Sequence, residues 1–193
     1  MTTTPLDDAP LHRLKDLIRD LAVVRGEVTL SSGRMADYYV DLRRVTLHHE
    51  AAPLIGHLLL DRLEESGMGV ADADAVGGPT MGADPVVSAV QHAAASRGLA
   101  LDAFLVRKEA KSHGMRRQVE GPEIAGRRVV ILEDTSTTGG SPLFAARVAQ
   151  DHGAQVVGIA TIVDRDTGAR EAIEDAGFRY VWLLSAEDLG LSE

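Results

Sequence analysis

The chain contains no cysteine, so it can form no disulfide bond, no cysteine-bound zinc site and no thiol nucleophile. Aromatic residues make up only 4% of its 193 residues, which leaves few rings for stacking against the bases of single-stranded nucleic acid. No apolar run approaches membrane-spanning length, and residues 1–10 have neither the basic region nor the apolar core of a signal peptide. These absences predict a cytoplasmic protein with an aliphatic core.

Positive charge is also scarce, because 20 lysines and arginines face 29 aspartates and glutamates, giving a formal net charge of -9. A chain of this charge is a poor general ligand for nucleic acid or for an anionic membrane. Residues 107–119 have the opposite sign, with five cationic side chains and a single glutamate. A basic patch on an acidic body predicts a small polyanionic ligand, although charge alone is equally consistent with a solvated loop.

Apolar segments alternate with amphipathic helical segments over most of the chain, which predicts an α/β fold with a parallel central sheet flanked by helices. We expect a single domain over residues 1–193. The first segment of the chain predicts a helix that Gly26 ends, followed by short strands at Val28–Leu30 and Tyr38–Leu42. Further helices are predicted at residues 49–66, 85–97, 142–152 and 169–176, and further strands at 75–77, 103–106, 129–132, 156–163 and 180–184.

One long connection, residues 108–126, shows no periodicity. Loops of this length in compact domains are uncommon and are usually functional lids or disordered segments. Since the same connection carries most of the basic patch, a lid over an anionic ligand is the favoured interpretation.

The strongest local signal lies in residues 129–142. A buried strand is followed by Glu133 and Asp134, then by small hydroxyl and glycine residues, then by a helix with Ser141 as its predicted N-cap and Pro142 at its first position. Backbone N–H groups at such a helix start bind phosphate, and carboxylates beside them suit ribose hydroxyls. The pattern has neither a lysine after the glycines nor a G-x-G-x-x-G motif, which disfavours nucleotide hydrolysis and dinucleotide binding. It predicts a sugar-phosphate site, with an acidic turn before an ordinary helix as the alternative.

Residues 133–141 resemble the 5-phosphoribosyl 1-diphosphate (PRPP) signature of type I phosphoribosyltransferases. Three further segments resemble the orotate phosphoribosyltransferases of that family. Residues 107–114 resemble their mobile catalytic loop, residues 28–34 with 38–41 their N-terminal substrate-side segment, and Asp164-Arg165 their orotate-contacting arginine. The resemblance implies the type I phosphoribosyltransferase fold, with a small N-terminal hood over about residues 1–45 and a mobile catalytic loop over about residues 108–121.

The reaction that the resemblance implies is transfer of ribose 5-phosphate from PRPP to orotate, giving orotidine 5'-monophosphate and diphosphate in the biosynthesis of UMP. The implied catalytic residues are Lys111, His113, Glu133 and Asp134. Orotate would contact Thr137 and Arg165. The implied PRPP-binding residues are Arg107, Lys108, Lys111, His113, Glu133, Asp134, Thr135, Ser136, Thr137, Thr138, Gly139, Gly140 and Ser141.

The resemblance also implies Mg²⁺, held mainly by PRPP rather than by direct protein ligands, because magnesium prefers substrate phosphates to all-protein cages. It implies a homodimer in which Lys108 acts across the interface. Two positions depart from the family pattern, because Ser31 and Met81 stand where many members carry lysines. Two other interpretations remain: a phosphoribosyltransferase for a purine base, and a PRPP-binding regulator without turnover.

Overall fold

A six-stranded sheet forms the centre of the protein. The computed structural model describes residues 8–29, 35–108 and 118–191. The sheet has the strand order β5-β4-β3-β6-β7-β8, with the edge strand β5 antiparallel and the other five strands parallel. These strands are β3 (Ala75–Pro79), β4 (Asp102–Val106), β5 (Val119–Glu120), β6 (Arg128–Ser136), β7 (Gln155–Asp164) and β8 (Arg179–Ser185). The predicted α/β class is therefore confirmed.

Helices cover both faces of this sheet, and a small N-terminal part adds a two-stranded antiparallel sheet. The small sheet pairs β1 (Val23–Thr29) with β2 (Met35–Val40). Within the described residues no helix combines the length and the hydropathy needed to cross a membrane. The helices are α1 (Asp8–Leu17), which continues as a π-helical turn over Ile18–Ala22, α2 (Arg43–Thr46), α3 (Ala51–Glu65), α4 (Ala83–Ser96), α5 (Gly140–Asp151) and α6 (Ala169–Asp175).

The core is aliphatic and lies on both sides of β6 and β7. Side chains alternate between the two faces of a strand, so Val130 and Leu132 pack with the α1, α3 and α4 side, while Val129 and Ile131 pack with the α5 and α6 side. All four are fully buried. Burial on both faces explains why this strand is a continuous apolar run in the sequence.

Two predicted boundaries at the phosphate loop are wrong. Strand β6 does not end at residue 132 but continues to Ser136, because it pairs with β7 as far as the register Ser136–Asp164. Ser141 is not the N-cap of the next helix. That position is Gly139, whose φ of +75° suits glycine, and α5 begins at Gly140 without any side-chain cap. The backbone N–H groups at this helix start are therefore not used by a capping side chain.

The prediction that Gly26 ends the first helix is also wrong. The helical segment ends at Ala22, and Gly26 lies inside β1 with a φ of +130° at a shift in the pairing register between Arg25 and Val28. Glycine here permits a strand irregularity rather than a helix stop. The short elements α2 and β5 were not predicted, because four and two residues are too few to show a period.

Candidate active site

A cleft of about 400 Å³ opens where the parallel strands end. Ligands of α/β proteins bind at this edge of the sheet, since the loops that follow the strands meet there. One wall comes from the N-terminal part, one from the loop after β3, and the floor from the end of β6. The lining residues are Tyr39, Val40, Asp41, Leu42, Arg43, Pro79, Thr80, Met81, Gly82, Lys108, Glu133, Asp134, Thr135 and Ser141.

Two carboxyl groups lie side by side on the floor of the cleft. Glu133 is only 5% exposed, and burial together with the charge of Asp134 raises its pKa to about 9. Burial likewise raises the pKa of Asp134, against the hydrogen bond from the Thr135 backbone N–H to Asp134 Oδ1 at 2.7 Å. The sequence predicts two anionic groups here, but burial favours the protonated form of Glu133. The pair is suited to hydroxyl groups or to a developing positive charge.

The loop after β3 approaches these carboxyl groups with its backbone. A Cβ atom on Gly82 would lie 2.8 Å from Asp134 Oδ1 and 2.9 Å from Glu133 Oε1, so a side chain would collide with the pair. Gly78, which lies within β3, is equally constrained, because its Cβ would collide with the carbonyl oxygen of Leu132. Glycine at these positions therefore places the backbone of β3 and of the loop after it directly against the end of β6.

The predicted phosphate loop, Thr137–Ser141, connects β6 to the N-terminus of α5. Ser141 lines the main cleft, and Gly140 and Ser141 line an adjoining pocket of about 280 Å³ with Pro79, Lys108 and Phe144. Among the described residues, the hydroxyl oxygens of Thr135 and Ser136 are buried without a hydrogen-bond partner. A helix N-terminus beside small hydroxyl side chains can bind a phosphate monoester.

The loop after β7 is fastened to the phosphate loop by two hydrogen bonds. The Arg165 backbone N–H donates to the Ser136 carbonyl at 2.9 Å, and the Thr167 hydroxyl donates to the Thr137 carbonyl at 2.8 Å. The Asp166 backbone N–H also donates to Asp164 Oδ1 at 2.8 Å, which stabilises the turn between them. The two loops that were predicted to bind different substrates are thus held together.

Arg165 does not line the cleft itself but lies beside the N-terminal part. Its guanidinium carbon is 4.9 Å from the centroid of the Tyr38 ring, a cation–π contact that restrains the guanidinium. The Tyr38 hydroxyl donates to the Leu191 carbonyl at 2.7 Å. Within the described residues Arg165 has no ion pair with Asp164 or Asp166, and its Nε atom is buried without a partner. Its planar donor group remains available to a carboxylate.

The predicted basic residues have different positions. Lys108 is exposed and lines the cleft, whereas Arg107 is not among the lining residues and forms an ion pair with Glu120 at 3.7 Å. Lys111 and His113 lie outside the described residues, as does Ser31. Met81 is 69% exposed on the wall of the cleft, so this position contributes no positive charge to it.

Sequence reasoning missed Arg43 as a residue of the site. Its Nε atom donates to Asp41 Oδ1 at 2.9 Å, and its positive charge acts on Asp134 across the cleft. It begins α2, a helix too short to be predicted from periodicity. The available signal was proximity, because Arg43 follows the substrate-side segment 38–41 by only two residues.

No group of three or more histidine, aspartate or glutamate side chains that could hold a metal occurs within residues 8–29, 35–108 and 118–191. Glu133 and Asp134 offer hard oxygen atoms, the type that Mg²⁺ prefers. Two carboxyl groups fit a magnesium ion that receives its other ligands from substrate and water.

The comparisons with known proteins agree with this fold. The family model described as "Phosphoribosyl transferase domain" matches residues 44–179, which include β3 to β7 and α6. The class is therefore that of the phosphoribosyltransferases.

Individual relatives identify the family to which the chain belongs within the phosphoribosyltransferases. An orotate phosphoribosyltransferase of Streptomyces avermitilis is 62% identical over 175 residues, 90% of this chain and 93% of the relative. That of Mycobacterium tuberculosis H37Rv is 56% identical over 178 residues, 92% and 95% of the two chains. A crystal structure of the latter enzyme with Fe(III) dicitrate has a TM-score of 0.84 at 55% identity, covering 94% of this chain and 99% of the other. The chain belongs to the orotate phosphoribosyltransferase family.

Proposed function

We propose that this enzyme transfers the ribose 5-phosphate group of PRPP to orotate, giving orotidine 5'-monophosphate and diphosphate in the biosynthesis of UMP. The observation that carries the proposal is the floor of the cleft, where the buried Glu133 and the half-buried Asp134 lead into the phosphate loop. The relatives support the choice of substrates. The M. tuberculosis enzyme has a crystal structure in complex with PRPP, with a TM-score of 0.80 and 50% identity to this chain.

The carboxyl pair acts on the ribose. Glu133 and Asp134 accept hydrogen bonds from the ribose hydroxyls and hold the ring in place. When diphosphate leaves carbon 1, positive charge develops on the sugar, and the ionised form of the pair becomes favoured because it stabilises that charge. The raised pKa of Glu133 is a consequence of placing two acids side by side where this charge develops.

The phosphate loop and the loop of Arg165, which are linked to each other, position the two substrates. The N–H groups and hydroxyls of the phosphate loop, Thr137–Ser141 with Thr135 and Ser136, bind the 5-phosphate of PRPP. Arg165 binds the orotate carboxylate through two parallel hydrogen bonds, a geometry that a planar guanidinium allows, and Thr137 lies beside the base. The contact of Arg165 with Tyr38 supports this orientation.

The basic segment acts on the leaving group. Arg107, Lys108, Lys111 and His113 neutralise the diphosphate and exclude water, which would otherwise hydrolyse PRPP. For Lys108, Lys111 and His113 this role rests on the family resemblance. Arg107 must leave its ion pair with Glu120, a partly exposed pair at 3.7 Å that costs little to break.

The proposal includes magnesium, a dimer and a cytoplasmic location. Mg²⁺ would be held mainly by PRPP and would supply positive charge at the diphosphate, while Asp134 and Glu133 orient the ribose hydroxyls. The partner subunit completes the site by contributing Lys108, so the active form is a homodimer. PRPP is a polyanion that does not cross membranes unaided, which supports the cytoplasmic location.

The absorbance of orotate provides the direct test. With PRPP and Mg²⁺, the purified protein should consume orotate, and omission of either should stop the reaction. Adenine and hypoxanthine serve as control bases. Turnover of a purine without loss of orotate would establish the purine alternative, and PRPP binding without turnover of any base would establish the regulator.

A further inference from the structure

The lining of the cleft contains few positive charges. Among the described residues of this lining, only Arg43 and Lys108 are cationic, whereas Asp41, Glu133 and Asp134 are acidic. A substrate with two phosphate-bearing ends needs more positive charge than one lysine supplies. Arg43 is the second source of positive charge in the cleft, and the proposed mechanism assigns it no role.

Arg43 is oriented by its own helix start rather than by the core. Asp41 Oδ1 accepts a hydrogen bond from Arg43 Nε at 2.9 Å and a longer one from the Arg43 backbone N–H at 3.3 Å. This contact uses one edge of the guanidinium and leaves the two terminal nitrogens with their four N–H groups for a ligand. The Arg43 side chain is 49% exposed, so the ion pair contributes little to folding stability.

The position of Arg43 in the cleft indicates which end of PRPP it contacts. Three residues, Pro79, Lys108 and Ser141, line both the main cleft and the adjoining pocket at Gly140, whereas Arg43 lines the main cleft alone. Arg43 is thus absent from the pocket that Gly140 and Ser141 of the phosphate loop line. A ribose whose 5-phosphate occupies that loop and whose hydroxyls contact Glu133 and Asp134 directs the substituent at carbon 1 towards the opposite end.

We infer that Arg43, held by Asp41, is a further binding residue for the diphosphate group of the sugar donor. The inference rests on the proposed function, because it uses the orientation of PRPP in the cleft. The guanidinium presents paired N–H groups to the diphosphate oxygens, and it compensates for the uncharged Met81 on the neighbouring wall. Arg43 also contacts the diphosphate as a product, so it affects product release.

The test compares two neighbouring arginines of α2. Arg43→Gln should raise the KM for PRPP and the inhibition constant of magnesium diphosphate by roughly 10- to 100-fold, the range for losing one charge-assisted hydrogen bond. The KM for orotate should change by less than about twofold, because Arg165 provides that contact. Arg44→Gln removes the same charge from an exposed position outside the cleft lining and should resemble the unaltered enzyme. Thermal unfolding of both variants checks the fold.

Calorimetric titration with magnesium diphosphate adds a readout that needs no turnover. Arg43→Gln should lose affinity here, and Arg43→Lys should recover part of it. Equal constants for Arg43→Gln and Arg44→Gln, or a rise confined to the KM for orotate, would refute the inference. If the unaltered protein fails to consume orotate but Arg43→Gln still weakens diphosphate binding, the proposed function fails while the role of Arg43 stands.

Discussion

Glu133 and Asp134 occupy a place that two acids would avoid in a protein selected for stability alone. Each loses water on burial, and the charge of Asp134 opposes the ionisation of Glu133. Local backbone N–H groups offset part of this cost, through bonds to Glu133 Oε1 at 3.2 Å and Asp134 Oδ1 at 2.7 Å. The sequence revealed that the pair exists and that it precedes a phosphate loop. It could not reveal the protonation of Glu133, which depends on how completely the surrounding elements exclude water.

The pH dependence of stability tests this description of Glu133. Its folded pKa is raised from 4.5 to about 9, so its contribution to stability is fully present below pH 4.5 and is lost as the pH rises towards 9. Glu133→Gln removes the titration. The free energy of unfolding of this variant should increasingly exceed that of the unaltered protein between pH 5 and 9, in urea unfolding at each pH. The exposed Glu171→Gln serves as the control, and parallel curves for the Glu133→Gln variant and the unaltered protein would contradict the raised pKa.

The Thr167 side chain links two loops of the site through one hydrogen bond. Thr167→Val removes the donor to the Thr137 carbonyl while keeping the shape of the side chain. The phosphate loop then loses one of its two links to the loop of Arg165, and we expect the KM for PRPP to rise about three- to tenfold, consistent with one hydrogen bond. Steady-state kinetics should show near-normal values for Thr167→Ser. If the valine and serine variants behave alike, the hydroxyl does not position the loop.

At the scale of secondary structure, predictions succeeded where local sequence decides and failed where pairing decides. Strands β6 and β7 were predicted because buried parallel strands are continuous apolar runs. Strand β5 was missed, since its two residues form a strand only by pairing with Leu105 and Val106 of β4. The role of Gly26 was misjudged for the same reason: the register of β1 against β2 is a contact between distant segments. The end of β6 likewise depends on β7.

The start of α5 gives a prediction at this scale. Gly139 has a φ of +75°, and an added Cβ would lie 3.1 Å from Ile173 Cγ1 and 3.2 Å from the Ala169 carbonyl oxygen. Gly139→Ala should lower the free energy of unfolding by about 1–3 kcal/mol, from backbone strain and crowding. Gly140→Ala is the matched control, because its nearest heavy atom would be 3.7 Å away. Urea unfolding that shows equal losses for both would refute this account of the helix start.

The whole molecule combines an acidic body with a small basic region, and the sequence alone shows this contrast in charge. The basic region predicts a polyanionic substrate, and the family relationship is consistent with that prediction. The roles of Lys111 and His113 remain predictions, because they fall outside the described residues. The contribution of one subunit to the site of another also remains a prediction, since single-chain geometry does not contain it.

Subunit mixing tests that contribution. Lys108→Ala and Arg165→Ala should each have little activity alone. If Lys108 acts across the dimer interface, a mixed dimer has one site with both substitutions and one site with neither. After subunit exchange of equal amounts, about a quarter of the normal activity should return, because half of the dimers are mixed and each has one intact site. No gain on mixing would place Lys108 in the site of its own subunit.

The fastening of the Arg165 loop to the phosphate loop has a consequence for redesign. A graft that replaces residues 164–168 in order to accept another base would disturb the Ser136 and Thr137 carbonyls at the same time. The choice of acceptor base and the binding of PRPP therefore cannot be changed independently in this fold. A successful exchange of specificity has to preserve both anchoring bonds, or restore them with compensating changes in the neighbouring turn.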